Sequence, residues 1–570
     1  MSSPRTQAPG ALLGSRSTIA LALFATACLL WLALRANFLI DDAFISFRYA
    51  KNWSEWGVPA FNPGEEPPVE GYSNFLWVLL LRWGYAAGLA PEVLSRVLSI
   101  SASVLTLWCV LAYARRELRL TIVPMSIAGI ALATMPPFTT WATGGLETAL
   151  FGLSLFLAFA GLTSRANERS EVMRGALCGL AGIALALTRP EGFLWIAGLS
   201  IVAILAPTFD RSRSIPAQRI RVFSIVAVLG LTLHMAWRRS MHGDWLPNTV
   251  RAKAGFSAEV FERGFDNSLT YLLLFATPML AVLSLILHRR RADDQPSEFA
   301  SIAGARRCAA FAVTAMLLGG GSYSLLVGGD WMPMFRFLAP ISSFVAIGLA
   351  LTCARIPAMP GGLIGTVAIG IAVLPSFGLS LAPQSLLERH YFRTFRKGYE
   401  SEHERWQSSV ANADSFALIG RGLATVEGGS RGITLGAIGA IGYYSGWLVY
   451  DRNGLVEPEV ARLPIEAGSG TAGHDRRVAR SWFRSRQPDV YEVMLAAGTI
   501  RNAQDPGFAA AARGMGQRVI RDGEASLLEH ALPEVHPLPE GNGIPANTTL
   551  VLLRHTNAPN AREFWKSLGL

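Results

Sequence analysis

Charge is scarce in this sequence. Only 16% of its 570 residues are charged and 51% are hydrophobic, whereas soluble domains carry roughly 25% charged residues. Together with a mean hydropathy of +0.33, this excludes a wholly soluble chain and indicates a polytopic membrane protein with some soluble mass. Cysteine is also scarce. Cys28, Cys109, Cys178, Cys308 and Cys353 all fall within or at the ends of apolar runs, and none has metal-ligand spacing. They read as small packing residues, which excludes a cysteine-based zinc site. The sequence lacks a Gly-rich phosphate loop, a Cys/His zinc pattern and a nucleophile elbow, and no repeat or low-complexity tract stands out. Acidic residues are outnumbered, giving a net charge of +10. Much of that excess lies in short loops between apolar runs, where Lys and Arg set topology, so no nucleic-acid partner is implied.

What is abundant is long apolar sequence. Runs occur at about 17–36, 72–89, 93–114, 121–137, 146–163, 174–188, 192–207, 222–237, 268–288, 306–327, 335–354 and 361–380. The first has no convincing small-residue cleavage site, so it reads as a retained anchor behind a cytoplasmic tail, 1–16. If every run spans, Arg115 and Arg116 fall outside and the positive-inside rule fails. If 72–89, with Arg82 in its middle, is a juxtamembrane or re-entrant element, the pattern becomes consistent. Arg115, Arg116 and Arg119; Arg165, Arg169 and Arg174; Arg211, Arg213, Arg219 and Arg221; Arg289, Arg290, Arg291, Arg306 and Arg307; and Arg355 are then all cytoplasmic. The expectation is a polytopic α-helical membrane protein of about eleven transmembrane helices over 17–380. A soluble α/β C-terminal domain, 381–570, follows on the outer side.

This topology gathers the unusual loops on one face. The first external loop, 37–71, opens with Asp41-Asp42 directly after an apolar run. Charge at that depth is costly and usually functional. A carboxylate pair can serve as a general base, a metal ligand or both, or it can simply cap an interfacial helix. Glu70, Tyr72 and Asn74 offer polar reach into a cavity, or belong to an ordered Pro/Gly-punctuated turn. Glu147 opens a span behind Gly144-Gly145, where a helix dipole also favours an acid. Arg189 and Glu191 flank Pro190 and read either as a local ion pair or as a phosphate contact. Around 238–253 lie Arg238, Arg239, His242, Asp244, Asn248, Arg251 and Lys253. External positive charge there calls for an anionic partner, either lipid headgroups or a polyprenyl phosphate. Asp330 and Arg336 bracket an aromatic, Met-rich turn.

These residues resemble a known family. Asp41-Asp42-Ala43-Phe44-Ile45-Ser46-Phe47-Arg48-Tyr49-Ala50, Phe61-Asn62-Pro63-Gly64, Val69-Glu70-Gly71-Tyr72-Ser73-Asn74 and Gly145-Leu146-Glu147-Thr148 carry the likeness, with Thr188-Arg189-Pro190-Glu191-Gly192. It extends to Gly243-Asp244-Trp245-Leu246-Pro247-Asn248-Thr249, Gly328-Gly329-Asp330, Gly436-Ala437-Ile438-Gly439 and Asp451-Arg452-Asn453-Gly454-Leu455. The chain resembles the GT-C class of integral membrane glycosyltransferases, most of all the mycobacterial terminal arabinofuranosyltransferase group and its bacterial relatives. The resemblance implies an inverting transferase on the outer face of the bacterial inner membrane. It would move a sugar, arabinofuranose being one candidate, from a polyprenyl-monophosphate donor to a cell-envelope glycan or glycolipid hydroxyl. It makes Asp41 the base. Asp42 would assist it or hold a divalent metal (Mg, Mn or Ca). Substrate contacts are expected among Arg48, Glu70, Tyr72, Asn74, Glu147, Arg189, Glu191, His242, Asp244, Asn248, Lys253, Asp330 and Arg336. The sequence departs from the family in Glu65-Glu66-Pro67-Pro68 and in Trp331-Met332-Pro333-Met334-Phe335-Arg336.

Two other classes compete with this reading. A lipid-linked glycan transporter should place charge and broken helices near mid-membrane, whereas here charge collects at external loop starts. A non-catalytic envelope-binding protein would use the C-terminal domain as its module and has no need of Asp41 and Asp42.

Overall fold

The computed structural model describes residues 16–165, 170–209, 215–253, 255, 257–275, 297–354, 370, 373–377, 383–389, 399–427, 432–464 and 473–570. The tail before Arg16 and most of the expected runs 268–288 and 361–380 lie outside the described residues. So do Arg169, Arg211, Arg213, Arg289, Arg290, Arg291 and Arg355.

Among the described residues, five helices are long and apolar enough to cross a bilayer: Arg16–Arg35, Pro91–Arg116, Glu171–Thr188, Ala217–His242 and Gly304–Leu326. Five further apolar helices are shorter: Phe75–Ala86, Ile122–Thr134, Thr148–Thr163, Gly192–Leu205 and Ala339–Cys353. The chain is a multi-pass, mostly helical membrane protein with a C-terminal sheet domain. Helix Phe75–Ala86 has 12 residues. At roughly 1.5 Å per residue it is about 18 Å long, short of the roughly 30 Å hydrocarbon core, in keeping with a juxtamembrane element. The run expected over 121–137 stops at Thr134, because Pro136 and Pro137 cannot continue its hydrogen-bond ladder. The run expected over 335–354 begins only at Ala339, since Met334 (φ 56°) and Phe335 (φ 49°) occupy the left-handed region.

The chain divides into two compact units. The first comprises 1–38, 95–234 and 258–405. It is built on buried aromatics such as Phe156, Phe159, Phe223, Phe275 and Phe344, with the Phe159 and Phe344 rings 5.1 Å apart. Small residues set its helix spacing. A Cβ at Gly175 would lie 2.7 Å from the Arg219 carbonyl oxygen, and one at Gly179 would lie 2.6 Å from Val226 Cβ. Helices Glu171–Thr188 and Ala217–His242 therefore approach closely through a glycine pair one turn apart.

The second unit comprises 39–94, 235–257 and 406–570. The compact soluble part thus starts at Trp406 and takes the first loop with it. The reason is packing: helix Asp41–Trp56 lays Phe44 and Phe47 against Tyr443, with ring centroids 5.7 and 6.0 Å apart. That helix ends where Gly57 turns left-handed (φ 77°) and its N–H reaches Trp53 O. Strands β1 (Gly432–Leu435), β2 (Leu448–Asp451), β3 (Val490–Ala497), β4 (Ala531–Pro537) and β5 (Thr548–His555) form a sheet of order β2-β1-β3-β5-β4. β1 runs parallel to β2 and β3; β5 is antiparallel to β3 and β4. Helix Phe508–Arg521 buries Phe508, Ala512, Met515 and Val519 in one core with Tyr491, Val551, Leu553 and Trp565.

A buried ionic cluster ties this domain's segments together. The Glu524 carboxylate receives Arg452 at 2.9 Å and Arg480 at 2.7 Å, and the Arg480 backbone N–H at 2.6 Å. Removing one partner of such a cluster leaves buried charge uncompensated. Glu524→Ala is expected to destabilise the sheet domain by about 3–5 kcal/mol, read as a lower thermal midpoint in detergent. A midpoint within a degree of wild type would show that Glu492 and Asp522, which also pair with Arg480, carry the cluster without Glu524.

Candidate functional site

Helix Asp41–Trp56 begins with the two carboxylates, which its own N-terminal dipole favours. Asp41 is buried and accepts two backbone hydrogen bonds from the first turn of the short helix Gly439–Ser445 that follows β1: Ala440 N–H at 2.7 Å and Gly439 N–H at 3.3 Å. A Cβ at Gly439 would lie 1.9 Å from the Asp41 carbonyl oxygen, so only glycine fits there. Burial pushes the Asp41 carboxyl up to about 7, with the Asp42 charge adding and the two N–H donors opposing. Asp42 is more open, its side chain 18% exposed, and Lys253 Nζ stands 3.9 Å from its Oδ2. A carboxylate poised near neutrality, a second carboxylate and a loosely held ammonium therefore lie together. This grouping can take a proton from a hydroxyl and can place positive charge beside an anionic leaving group.

The surrounding loops hold this group in place. Arg48, expected to contact substrate, instead donates to the carbonyls of Phe61 (2.8 Å), Gly442 (2.6 Å) and Trp447 (2.8 Å). Asn248, likewise expected at substrate, donates to Gly454 O (2.8 Å) and Leu455 O (2.9 Å). Asn74 pairs with Ser46, and Asp244 accepts Arg251 at 2.7 Å. Buried carbonyls need donors, and these side chains supply them. Glu70 receives Arg238 at 2.6 Å through one oxygen, while its other oxygen is buried and has no partner among the described residues. Tyr72 packs on Tyr49 (4.6 Å) and His242 (6.1 Å), and its hydroxyl likewise has no partner among the described residues. His242 Nδ1 meets Pro68 O at 2.7 Å. The Glu65-Glu66-Pro67-Pro68 insert is closed by Glu65, which accepts Asn62 N–H and Val69 N–H, both at 3.1 Å.

The remaining candidates lie in the first unit and form their own cluster. Arg189 pairs with Glu191 at 2.6 Å and stands 3.9 Å from Glu147. Its guanidinium also lies 4.7 Å from the Phe337 ring centroid. Arg336 pairs with Asp330 at 2.7 Å, and Asp330 also accepts Met332 N–H at 3.1 Å. Each arginine here thus faces a carboxylate of its own unit. This is the local ion-pair alternative for Arg189.

Mg and Ca take about six or more oxygen ligands. Among the described residues no three His, Cys, Asp or Glu side chains converge as ligands, and Lys253 already stands beside Asp42. These donors do not make a protein-held cation site. Sequence reasoning missed Gly439 and Ala440, because backbone N–H donors have no side-chain signature. It also missed Tyr49, whose hydroxyl donates to Val69 O (2.7 Å) and accepts Gly71 N–H (2.8 Å).

A family model described as a domain of unknown function (DUF8728) matches residues 411–526. The chain is 27% identical over 352 residues to the terminal β-(1→2)-arabinofuranosyltransferase of Mycobacterium tuberculosis, covering 55% of this chain and 53% of that protein. It therefore spans about half the length of this curated relative. Among solved structures it is similar to ArnT from Cupriavidus metallidurans bound to undecaprenyl phosphate (12% identity, 94% of this chain and 97% of that chain, TM-score 0.48). Another is the archaeal oligosaccharyltransferase AglB from Archaeoglobus fulgidus in complex with an inhibitory peptide and a dolichol-phosphate (12% identity, 95% and 76%, TM-score 0.46). The resemblance read from the motifs and the curated relative point to the same group.

The Gly439 contact makes its own prediction. A methyl there cannot fit without moving helix Asp41–Trp56 or the turn, so Gly439→Ala is expected to cost about 1–3 kcal/mol. Thermal unfolding of the detergent-solubilised protein measures it. Unchanged stability would mean that Asp41 is not seated on this turn.

Proposed function

We propose that this chain is a GT-C-type glycosyltransferase that takes a sugar from a polyprenyl-monophosphate donor and transfers it, with inversion, to a hydroxyl of a cell-envelope glycan or glycolipid. The observation that carries this reading is the seated carboxylate: Asp41, held by Gly439 and Ala440 N–H, next to Asp42 and Lys253. Asp41 accepts the proton of the acceptor hydroxyl. The hydroxyl oxygen bonds to the anomeric carbon from the face opposite the phosphate. The bond from that carbon to the phosphate oxygen breaks, and the polyprenyl phosphate leaves with the electron pair. Phosphate is a good leaving group that needs little acid help but gains from fixed positive charge, which Lys253 supplies. Asp42 orients Lys253, and no step is routed through a metal. The curated relative's name makes a pentofuranose, arabinofuranose, the sugar to test first. Glu70, Tyr72 and His242 are the proposed acceptor-side residues. Arg189, Glu147, Glu191, Asp330 and Arg336 are proposed to shape the first unit's loops. The active side is the outer face of the bacterial inner membrane, with 381–570 external.

Asp41→Asn keeps the shape and removes the basicity. Transfer is expected to fall by about 10² or more while donor binding persists. The wild-type kcat/KM should rise with pH through about 7, because the base works only when deprotonated and the Asp41 carboxyl is held near that value. Near-normal turnover in the variant assigns the base elsewhere, Glu147 first.

Orientation has a separate test. Gln504 is exposed in the sheet domain, so Gln504→Cys is expected to react with a membrane-impermeant thiol reagent in cells whose outer barrier has been opened. The wild type serves as the background control. Labelling that appears only after inner-membrane lysis would put this domain, and the site with it, in the cytoplasm.

A further inference from the structure

The segment that follows Gly473 brings a positive charge to Gly436, three residues before the Gly439 N–H that binds Asp41. Gly473 lies against Lys253, with that side chain's methylenes 3.6 Å from where its Cβ would be. Arg476 anchors the segment, donating to Ala252 O at 2.9 Å and to Leu463 O at 2.6 Å. Val478 fixes the other side: its N–H reaches Arg452 O at 2.9 Å, and its carbonyl accepts Arg452 Nε at 3.0 Å. Arg477 sits between these two anchors. Its guanidinium comes within 3.9 Å of the Cβ position of Gly436, in the segment that leads into the helix turn supplying the Gly439 and Ala440 N–H groups to Asp41. Three residues span at most about 11 Å, so Arg477 lies beside the turn that seats the carboxylate. Asn453 holds Gly436 in place by donating to its carbonyl at 2.6 Å.

Two facts make Arg477 more than a solvated surface charge. It is exposed and, among the described residues, makes no ion pair or hydrogen bond, unlike its neighbours Arg476 and Arg480. It also faces like charge. The Arg452 guanidinium is pulled down to about 10, by burial first and then by Arg480 and Arg477. A cation fixed beside another, with no acid of its own, is stabilised when an anion arrives. Planar guanidinium donors match phosphate oxygens two at a time.

We infer that Arg477, carried by the sheet domain, is a donor-binding residue that with Lys253 grips the phosphate of the lipid-linked sugar. The inference rests on the transferase reading above and extends its anion site to a residue that no motif contains. It also gives the sheet domain a part in substrate binding beyond seating Asp41.

The test is binding of undecaprenyl phosphate to the full-length protein in nanodiscs of neutral lipid, comparing wild type, Arg477→Ala, Arg477→Lys and Lys253→Ala. Losing one charge-assisted phosphate contact weakens binding by about 10- to 150-fold. That loss is expected for Arg477→Ala and for Lys253→Ala, with a smaller loss for Arg477→Lys. Thermal midpoints should hold for the Arg477 variants, since Arg477 is exposed and bonds to no other side chain or carbonyl among the described residues. Inorganic phosphate should compete weakly, and adding phosphatidylglycerol to the nanodiscs should change little. Arg477→Ala binding within twofold of wild type while Lys253→Ala is impaired would overturn the inference and leave the transferase reading standing. Strong competition by phosphatidylglycerol, lost in Arg477→Ala, would assign Arg477 to lipid headgroups and overturn its donor role. A wild type that binds no polyprenyl phosphate would overturn the transferase reading, and the inference with it.

Discussion

The second unit depends on one buried contact, the Asp41 carboxylate resting on the N–H groups of Gly439 and Ala440. A carboxylate at this depth is stable only with donors aimed at it. The first turn of helix Gly439–Ser445 provides them, and Gly439 is the only residue type that lets the chains approach so closely. From this contact the packing spreads outward. Arg48 bridges to Gly442 and Trp447, Asn62 donates to Val449 O and accepts Val449 N–H, both at 3.0 Å, and Asn248 holds Gly454 and Leu455. The first loop is therefore an integral layer of the sheet domain. Three of its carboxylates, Asp41, Glu65 and Glu70, are pushed up to about 7 chiefly by burial. Among these three, Asp41 is the one with an adjacent carboxylate and an ammonium nearby, which is why the proposed function gives it the base.

In both units most buried arginines face a carboxylate, with a difference at the Asp41 group. In the first, Arg189 and Arg336 sit against Glu191 and Asp330 at 2.6 and 2.7 Å, and Arg219 meets Glu171 at 2.6 Å. These pairs resemble the structural solution for charge in a low-dielectric bundle, where each cation needs its own partner. In the second, Arg238, Arg452 and Arg480 are paired in the same way, whereas Lys253 is held only loosely by Asp42 at 3.9 Å and Arg477 makes no pair among the described residues. Under the proposed function, that difference separates arginines that build loops from cations kept available for a phosphate.

Much of the fold was legible in the sequence, because membrane helices and a sheet domain are written in hydropathy and in the change of composition after the last apolar run. The expected break in the span pattern at 72–89 rested on Arg82 and a polar start, and the helix found there, Phe75–Ala86, has only 12 residues. The Asp41–Asp42 pair stood out because adjacent carboxylates directly after an apolar run have few innocent explanations. Arg48 and Asn248 have structural partners that the sequence could not show, for a common reason. Their side-chain types suit a ligand, but their partners are backbone carbonyls 394 and 399 residues away for Arg48 and 206 and 207 residues away for Asn248. No local pattern encodes such a partner. Gly439 and Ala440 act through N–H groups that every non-proline residue has, so their role emerges only when the chain is folded. Arg477 was hidden among many basic residues, and only its lack of an acid partner distinguishes it.

The most direct test of the central claim is a structure of the protein with a non-transferable polyprenyl phosphonate analogue of the sugar donor. The account predicts the anomeric carbon in front of Asp41, with room for an acceptor hydroxyl within hydrogen-bond reach of its carboxylate, and the phosphonate oxygens at Lys253. An analogue seated with its anomeric carbon at Glu147, and Asp41 remote and still enclosed by Gly439 and Ala440, would contradict it.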